Sequence, residues 1–298
     1  MIEFDHVNKI YKNKNSTIYA LKDVSFQIKK GEILGVIGRN GAGKTTMFKI
    51  ISGILSYDSG LVKIENEAKR TDAISYLPET RGIDTRGIVK EHLTDLLGYK
   101  GMKMSDARKY IMYWLKEFEM EEYADAKISS LSKGNQQKLQ FISAVANNPE
   151  ILILDEPFSG LDVIATDFFW KMIEKVKKQG TTILFSTHNL QDKMALCENF
   201  MFIVQGEVVK LGSLETIQND FKKMLEIESS DLNKEQLFQY ISKEEQERYE
   251  QYGCILLEKE EEARVLFEKL GRPYCEKLRV RKQNIEEIFR GVNGQWKM

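Results

Sequence analysis

The residues best suited to chemistry lie in one short stretch, Gly38 to Thr46, which reads GRNGAGKTT and follows the apolar run ILGVI. From Gly38 to Thr45 the spacing is that of a glycine-rich loop closed by Lys-Thr, set between a predicted strand and a predicted helix. Glycines let the backbone turn tightly, so that successive N–H groups point at phosphate oxygens, and the following helix adds its positive N-terminal end. The stretch therefore predicts a site for a nucleoside triphosphate.

Two groups of side chains complete the chemistry that this loop predicts. Lys44 can reach the β- and γ-phosphates, and Thr45 offers a hydroxyl to Mg²⁺. Asp155 and Glu156 end the apolar run in ILILDEP, where two carboxylates are costly unless a cation or a reaction uses them. We expect Asp155 to contact the Mg²⁺ directly or through water, and Glu156 to orient and deprotonate the attacking water.

Composition limits the classes of protein that can carry this loop. The chain has 298 residues, 42% hydrophobic and 30% charged, which fits about two globular domains. Its 44 Lys and Arg against 45 Asp and Glu leave a net charge of −1, so no nucleic-acid partner is expected. Three cysteines without metal-ligand spacing suit a reducing compartment. No signal peptide or membrane-spanning run is predicted, so another chain would supply any membrane part.

The order of strand-like and helix-like runs predicts the fold. Residues 1–36 look β-rich, and the later apolar strands alternate with helices, which favours a mostly parallel sheet. We predict an α/β fold: a P-loop NTPase core, an N-terminal antiparallel β-subdomain, a helical subdomain at about 84–146, and a small α+β C-terminal domain. The C-terminal domain begins where the charged fraction rises, since 31 of the 78 residues 221–298 are charged, against 30% in the whole chain. The predicted domains are 1–220 and 221–298.

Several motifs together carry a family resemblance. GRNGAGKTT, LSKGNQQ from Leu131, ILILDEP, SGLD from Ser159 and the lone His188 of FSTHNL occur in this order. Over about residues 1–220 the chain resembles the nucleotide-binding subunit of ATP-binding cassette (ABC) transporters. LSKGNQQ ahead of the Asp-Glu strand separates that family from other P-loop proteins.

The resemblance implies roles for residues that composition and spacing do not assign. Ser132 and Gly134 would contact the γ-phosphate bound to a second copy, Asp162 would lie at the dimer seam, and His188 would contact the γ-phosphate. Tyr11 would stack on adenine, although Tyr19 could do so instead.

The implied catalytic residues are Glu156, His188 and Lys44. Those for ATP are Tyr11, Gly38, Asn40, Gly41, Ala42, Gly43, Lys44, Thr45, Thr46, Ser132, Gly134 and Asp162. Those for Mg²⁺ are Thr45, Asp155 and Glu79.

The chain also departs from the family pattern. Lys133 and Asn135 stand at the places of the first glycine and the glutamine of the usual signature, while Ser132 and Gly134 are kept. Glu79, in SYLPET, replaces the amide that normally touches Mg²⁺ and water. YLPE, LSKG and a C-terminal extension resemble the bacterial exporter-type subgroup.

The resemblance implies an ATPase subunit that binds ATP and Mg²⁺ and powers a separate membrane permease, for export, from the cytoplasmic face of the membrane. It would act as a homodimer, with a heterodimer as the alternative. One other hypothesis is a soluble ATPase of the same superfamily acting on ribosomes or nucleic acid. Against it stand the single cassette and the absence of sustained heptads between Lys44 and Ser132. Another is an ATP-binding regulator without turnover, which the presence of Glu156 and His188 disfavours.

Overall fold

Two units make up the chain in the computed structural model, Met1–Gly212 and Ser213–Met298. The residues that the structure describes are 1–13, 16–65, 73–79, 83–187, 196–228, 234–252, 255–257, 260–270 and 277–294. In the first unit the strands and helices are, in chain order, β1 (Ile2–Asn13), β2 (Ser16–Ile28), β3 (Ile33–Ile37), α1 (Lys44–Ile51), β4 (Ser59–Ile64), β5 (Ile74–Leu77), α2 (Val89–Tyr99), α3 (Met104–Glu117), α4 (Lys133–Val145), β6 (Ile151–Leu154), α5 (Val163–Lys178), β7 (Thr182–Thr187), β8 (Asn199–Val204) and β9 (Glu207–Gly212).

An antiparallel sheet in the order β2-β1-β4 opens the chain, as the alternating pattern of residues 1–36 predicted. Along the second half of β2 buried and exposed residues alternate, which is the period-2 pattern of a sheet with one face against the core. On the buried face Phe4 and Phe26 are cross-strand partners, and their rings stack with centroids 4.6 Å apart. This sheet covers one side of the unit's core.

A six-stranded sheet in the order β5-β6-β7-β3-β8-β9 forms the centre of the first unit. Its strands are parallel from β5 through β8, and β9 returns antiparallel to β8 as the predicted hairpin. Every residue of β3, β6 and β7 is buried, which explains their continuous apolar runs. Because the carboxyl ends of parallel strands meet at one edge, the segments that follow β3 and β6 come together there.

A helical segment packs around aromatic side chains. The apolar face predicted for α3 is buried, including Trp114 and, just after the helix, Phe118. The Phe118 ring lies 5.6 Å from that of Phe141 in α4, and Phe141 lies 5.3 Å from Phe169 in α5. These contacts fix α4 relative to α5. Within the described residues, no helix has both the length and the apolar character that crossing a bilayer requires.

The second unit is an α+β fold with its own core. Its elements are α6 (Leu214–Gln218), β10 (Lys223–Glu228), α7 (Lys234–Phe238), α8 (Lys243–Tyr252), β11 (Ile255–Leu257), α9 (Glu260–Leu270), β12 (Lys277–Arg281) and α10 (Ile285–Val292). The strands form an antiparallel sheet in the order β11-β10-β12. Its core is built by apolar residues of both strands and helices: Leu225, Leu237, Ile255, Ala263, Leu266 and Leu270.

Candidate nucleotide-binding site

The glycine-rich loop connects β3 to α1 and depends on its glycines for steric reasons. Gly41 and Gly43 have φ angles of 81° and 111°, which residues with a Cβ rarely adopt. A Cβ on Gly43 would lie 2.4 Å from the Ala20 carbonyl oxygen, and one on Gly38 would lie 2.6 Å from that of Ile203. The loop can therefore follow this path only with glycine at these positions.

Lys44 is the first residue of α1, and its ammonium group is buried. Nζ donates to the Gly38 carbonyl at 2.6 Å and lies 3.4 Å from Glu156 Oε1. Both side chains of this ion pair are only 6% exposed, so water screens the pair weakly. The loop and the Asp-Glu strand, more than a hundred residues apart in sequence, thus meet at one charged pair.

Asp155 accepts hydrogen bonds from side chains of three elements. Thr45 Oγ1 donates to Oδ2 at 2.7 Å, the Tyr76 hydroxyl donates to the same oxygen at 3.2 Å, and Ser186 Oγ donates to Oδ1 at 2.6 Å. Burial, and next the Asp155 charge, raise the pKa of the Tyr76 phenol, so the phenol stays protonated and remains a donor. The three hydrogen bonds together fix the orientation of the Asp155 carboxylate.

Glu156 has an unusual backbone conformation. Its φ is 50°, in the left-handed region, which costs a non-glycine residue about 1–2 kcal/mol. Its backbone N–H donates to Ser186 Oγ at 2.9 Å, and the next residue's carbonyl, that of Pro157, accepts from Gln137 Nε2 at 2.8 Å. Strained residues held by their surroundings cluster at functional sites, which agrees with the catalytic role expected of this carboxylate.

A cleft of about 440 Å³ collects most of the predicted side chains, a size that suits a small ligand. Its walls come from the loop, the strand ends and the N-terminal sheet. The predicted site residues among its lining are Tyr11, Asn40, Gly41, Ala42, Gly43, Lys44, Thr45, Thr46, Glu79, Asp155 and Glu156. Gly38 lies behind this lining, where its carbonyl holds Lys44.

The pairing of β1 with β2 distinguishes the two tyrosines considered for the adenine ring. Tyr11 is opposite Ile18, and both line the cleft. Tyr19 is the next residue along β2, so its side chain points to the other face, and it is not among the residues lining the cleft. Of the two, only Tyr11 lines the cleft, and its stacking on adenine stays a prediction.

The remaining predicted residues lie elsewhere in the chain. Ser132 caps α4, accepting the Asn135 N–H at 3.2 Å, and Gly134 follows in its exposed first turn. Asp162 caps α5 and accepts the Ala165 N–H at 2.7 Å. Neither helix start lines the cleft of its own chain. His188 lies outside the described residues.

The donors at the cleft fit Mg²⁺ in chemical type. Thr45, Asp155 and Glu79 present only oxygen, and Mg²⁺ is bound in nucleotide sites by one or two carboxylates together with substrate phosphates. In the part of the chain that the structure describes, no three His, Cys, Asp or Glu side chains group closely enough to hold a metal ion by themselves. A metal here would therefore depend on the phosphates of the nucleotide.

Sequence reasoning missed three polar residues that support the site: Tyr76 and Ser186 at Asp155, and Gln137 at Pro157. Ser186 carried a usable signal, because a fully buried polar residue in a buried strand needs a hydrogen-bond partner. Tyr76 carried none, since a half-buried tyrosine in an apolar strand is ordinary. Gln137 lies within LSKGNQQ, but its partner, the Pro157 carbonyl, becomes visible only when the fold brings α4 next to the segment that follows β6.

Fold and cleft together define the class: a P-loop nucleotide-binding cassette. The family model described as "ABC transporter" matches residues 21–159. The uncharacterized ABC transporter ATP-binding protein YhaQ of Bacillus subtilis strain 168 is 39% identical over 235 residues, 78% of each chain. Nod factor export ATP-binding protein I of Burkholderia thailandensis is 32% identical over 222 residues, 72% of each chain. The chain belongs to the family of ABC transporter ATP-binding proteins.

A solved structure gives the same assignment. The ATP-binding cassette MJ0796, in a dimeric post-hydrolysis state bound to ADP and Pi, superposes with a TM-score of 0.66 at 29% identity, covering 72% of this chain and 99% of that one. The resemblance to the nucleotide-binding subunit of ABC transporters is therefore confirmed, as are the α/β cassette fold and the class of enzyme. The chain is a subunit of the type that binds and hydrolyses ATP in ABC transporters.

Proposed function

We propose that the chain hydrolyses ATP·Mg²⁺ at the cytoplasmic face of the cell membrane and thereby drives a separate integral-membrane permease that exports its substrate. The observation that carries this proposal is the convergence of the glycine-rich loop, the Thr45–Asp155 hydrogen bond and Glu156 on one cleft. Residues 1–220 would be the ATPase domain, and 221–298 an accessory domain.

Each part of the cleft has a distinct task in hydrolysis. The loop amides and the start of α1 bind the phosphate oxygens, and Lys44 moves from the Gly38 carbonyl and Glu156 to the β- and γ-phosphates. Mg²⁺, when bound, neutralises charge on the phosphates, and Thr45, Asp155 and Glu79 would hold it. Glu156 accepts a proton from the attacking water, and His188 would contact the γ-phosphate.

A dimer would complete the site, and a homodimer is sufficient because one chain carries both halves. Ser132 and Gly134 are exposed at the start of α4 and are suited to an anion supplied by a partner. Next to Asp162, Val163 and Ile164 are 63% and 82% exposed, and contiguous exposed apolar side chains often mark an interface. A heterodimer with a related chain is the alternative.

A groove in the first unit supports the permease as partner. It has a volume of about 280 Å³ and is lined by β5 and by apolar and polar residues of the helical segment, among them Leu96, Ala144 and Gln140. A helix with an apolar face could seat there. Export is supported by the YLPE and LSKG motifs and by the relative named for Nod factor export.

The test combines an enzymatic and a partner measurement. The purified chain is expected to release phosphate from ATP only with Mg²⁺ present. A tagged chain purified from detergent-solubilised membranes is expected to retain a multi-span membrane protein at a fixed ratio. Ribosomes retained in place of a membrane protein would contradict the proposal, and so would ATP binding without turnover.

A further inference from the structure

Strand β5 holds the metal-site carboxylate through both backbone and side chain. The Asp155 N–H donates to the Leu77 carbonyl at 2.9 Å, and the Tyr76 hydroxyl donates to Asp155 Oδ2 at 3.2 Å. Oδ2 also accepts from Thr45, while Oδ1 accepts from Ser186. We propose that Tyr76 is a positioning residue that holds the Asp155 carboxylate in the orientation that nucleotide-bound Mg²⁺ requires. This inference rests on the Mg²⁺ site of the proposed function.

The need for a second donor on Oδ2 follows from the task of Thr45. The Thr45 hydroxyl that donates to Oδ2 is also a group that would hold the metal, so it would serve the metal and Asp155 at once. Tyr76 stays in place because its ring packs, half-buried, against the core cluster of the first unit. A donor whose rotamer is fixed by packing keeps the carboxylate oriented throughout binding.

The position of Tyr76 also relates two surfaces of the same unit. Its strand, β5, is an edge strand of the six-stranded sheet, and residues Ile74–Leu77 line the groove of about 280 Å³. The same strand therefore borders the groove on one side and anchors Asp155 at the cleft. A molecule seated in the groove would contact the element that orients the metal-site carboxylate.

The test measures metal affinity directly, with Mn²⁺ as the probe for Mg²⁺. The chain is loaded with ADP and titrated with Mn²⁺, and free Mn²⁺ is followed by electron paramagnetic resonance, with correction for Mn²⁺ bound by free ADP. Tyr76→Phe, which removes only the hydroxyl, is expected to weaken Mn²⁺ binding roughly three- to tenfold, the range of one lost hydrogen bond. Affinity for ADP in EDTA is expected to equal that of the wild type.

Tyr57→Phe is the matched control, because Tyr57 packs against the same core cluster and does not line the cleft. It is expected to leave both affinities unchanged, and thermal unfolding checks that both variants fold. If Tyr76→Phe bound Mn²⁺ with wild-type affinity, the inference about Tyr76 would be overturned and the metal site would stand. The same holds if Tyr57→Phe weakened Mn²⁺ binding as much as Tyr76→Phe. A wild-type chain whose ADP complex binds no Mn²⁺ would overturn the metal site itself and this inference with it.

Discussion

At the scale of single residues, the two charged side chains to which we assign catalytic roles form a buried ion pair. Lys44 and Glu156 lie 3.4 Å apart, and each is almost excluded from water. Removing one partner of such a pair leaves an uncompensated buried charge, which costs about 3–5 kcal/mol. A neutral amide in place of the Glu156 carboxylate would still be polar and nearly isosteric, so it tests chemistry with less damage to the fold.

We therefore expect Glu156→Gln to bind ATP with wild-type affinity while hydrolysing it 10²- to 10⁴-fold more slowly, the range typical of a lost general base. Phosphate release and nucleotide binding are measured on the same preparation. Glu122→Gln, an exposed change outside the cleft, is the control and should keep full activity. A Glu156→Gln variant within threefold of the wild-type rate would assign the base to another group.

At the scale of elements, the glycine-rich loop is shaped by the strands around it. Gly43 caps α1 with a φ of 111°, and its α-carbon faces the Ala20 carbonyl of β2. The loop thus combines a conformation that suits glycine with a close approach that allows no side chain. The phosphate-binding geometry consequently depends on β2, which belongs to a different sheet.

Gly43→Ala is expected to lose nucleotide binding and to unfold at a lower temperature, because the new Cβ would lie 2.4 Å from a backbone oxygen. The matched control is Gly101→Ala, where φ is also positive, at 88°, but no atom lies within 4 Å of the added Cβ. The control should cost only about 1–2 kcal/mol of stability and should leave binding intact. Equal effects of the two changes would mean that the positive φ angle, and not the steric contact, determines the conformation of the loop.

At the scale of the whole molecule, the residues that we propose to contact nucleotide lie on two separate surfaces of one chain. The cleft gathers the loop and the Asp-Glu strand, whereas Ser132 and Asp162 start helices that do not line it. In the proposed arrangement a second chain completes the site, and the related cassette MJ0796 is dimeric. Dimerisation and nucleotide binding should be separable by mutation.

In the slowly hydrolysing Glu156→Gln background, ATP is expected to convert the chain to a dimer on size-exclusion chromatography. Adding Ser132→Arg should abolish this dimer, because a bulky cation would replace the small hydroxyl at the start of α4, while the affinity of the monomer for ATP stays the same. Ser105→Arg, an exposed change at the start of α3, should dimerise normally. An ATP-dependent dimer that persists with Ser132→Arg would contradict the head-to-tail arrangement.

The sequence by itself determined the family, the class of fold and most of the cleft. It could do so because the chemistry of GRNGAGKTT and ILILDEP follows from residue types and spacing within each short segment. A glycine loop and a strand-end carboxylate can therefore be recognised without knowing their tertiary contacts. The fully apolar runs of β3, β6 and β7 likewise predict buried parallel strands without further information. Which of Tyr11 and Tyr19 faces the cleft, in contrast, depended on strand register.

Only the tertiary structure decided which side chains support the chemical groups. Tyr76 and Ser186 reach Asp155 from strands 79 and 31 residues away, and Gln137 reaches Pro157 across 20 residues. Such contacts arise from packing, which brings distant segments together by burial of apolar surface and leaves no periodic trace in the sequence. The motif beginning at Gly38 predicted the phosphate site, and the fold brought in the hydrogen-bond partners of Asp155, the carboxylate that we propose for the metal.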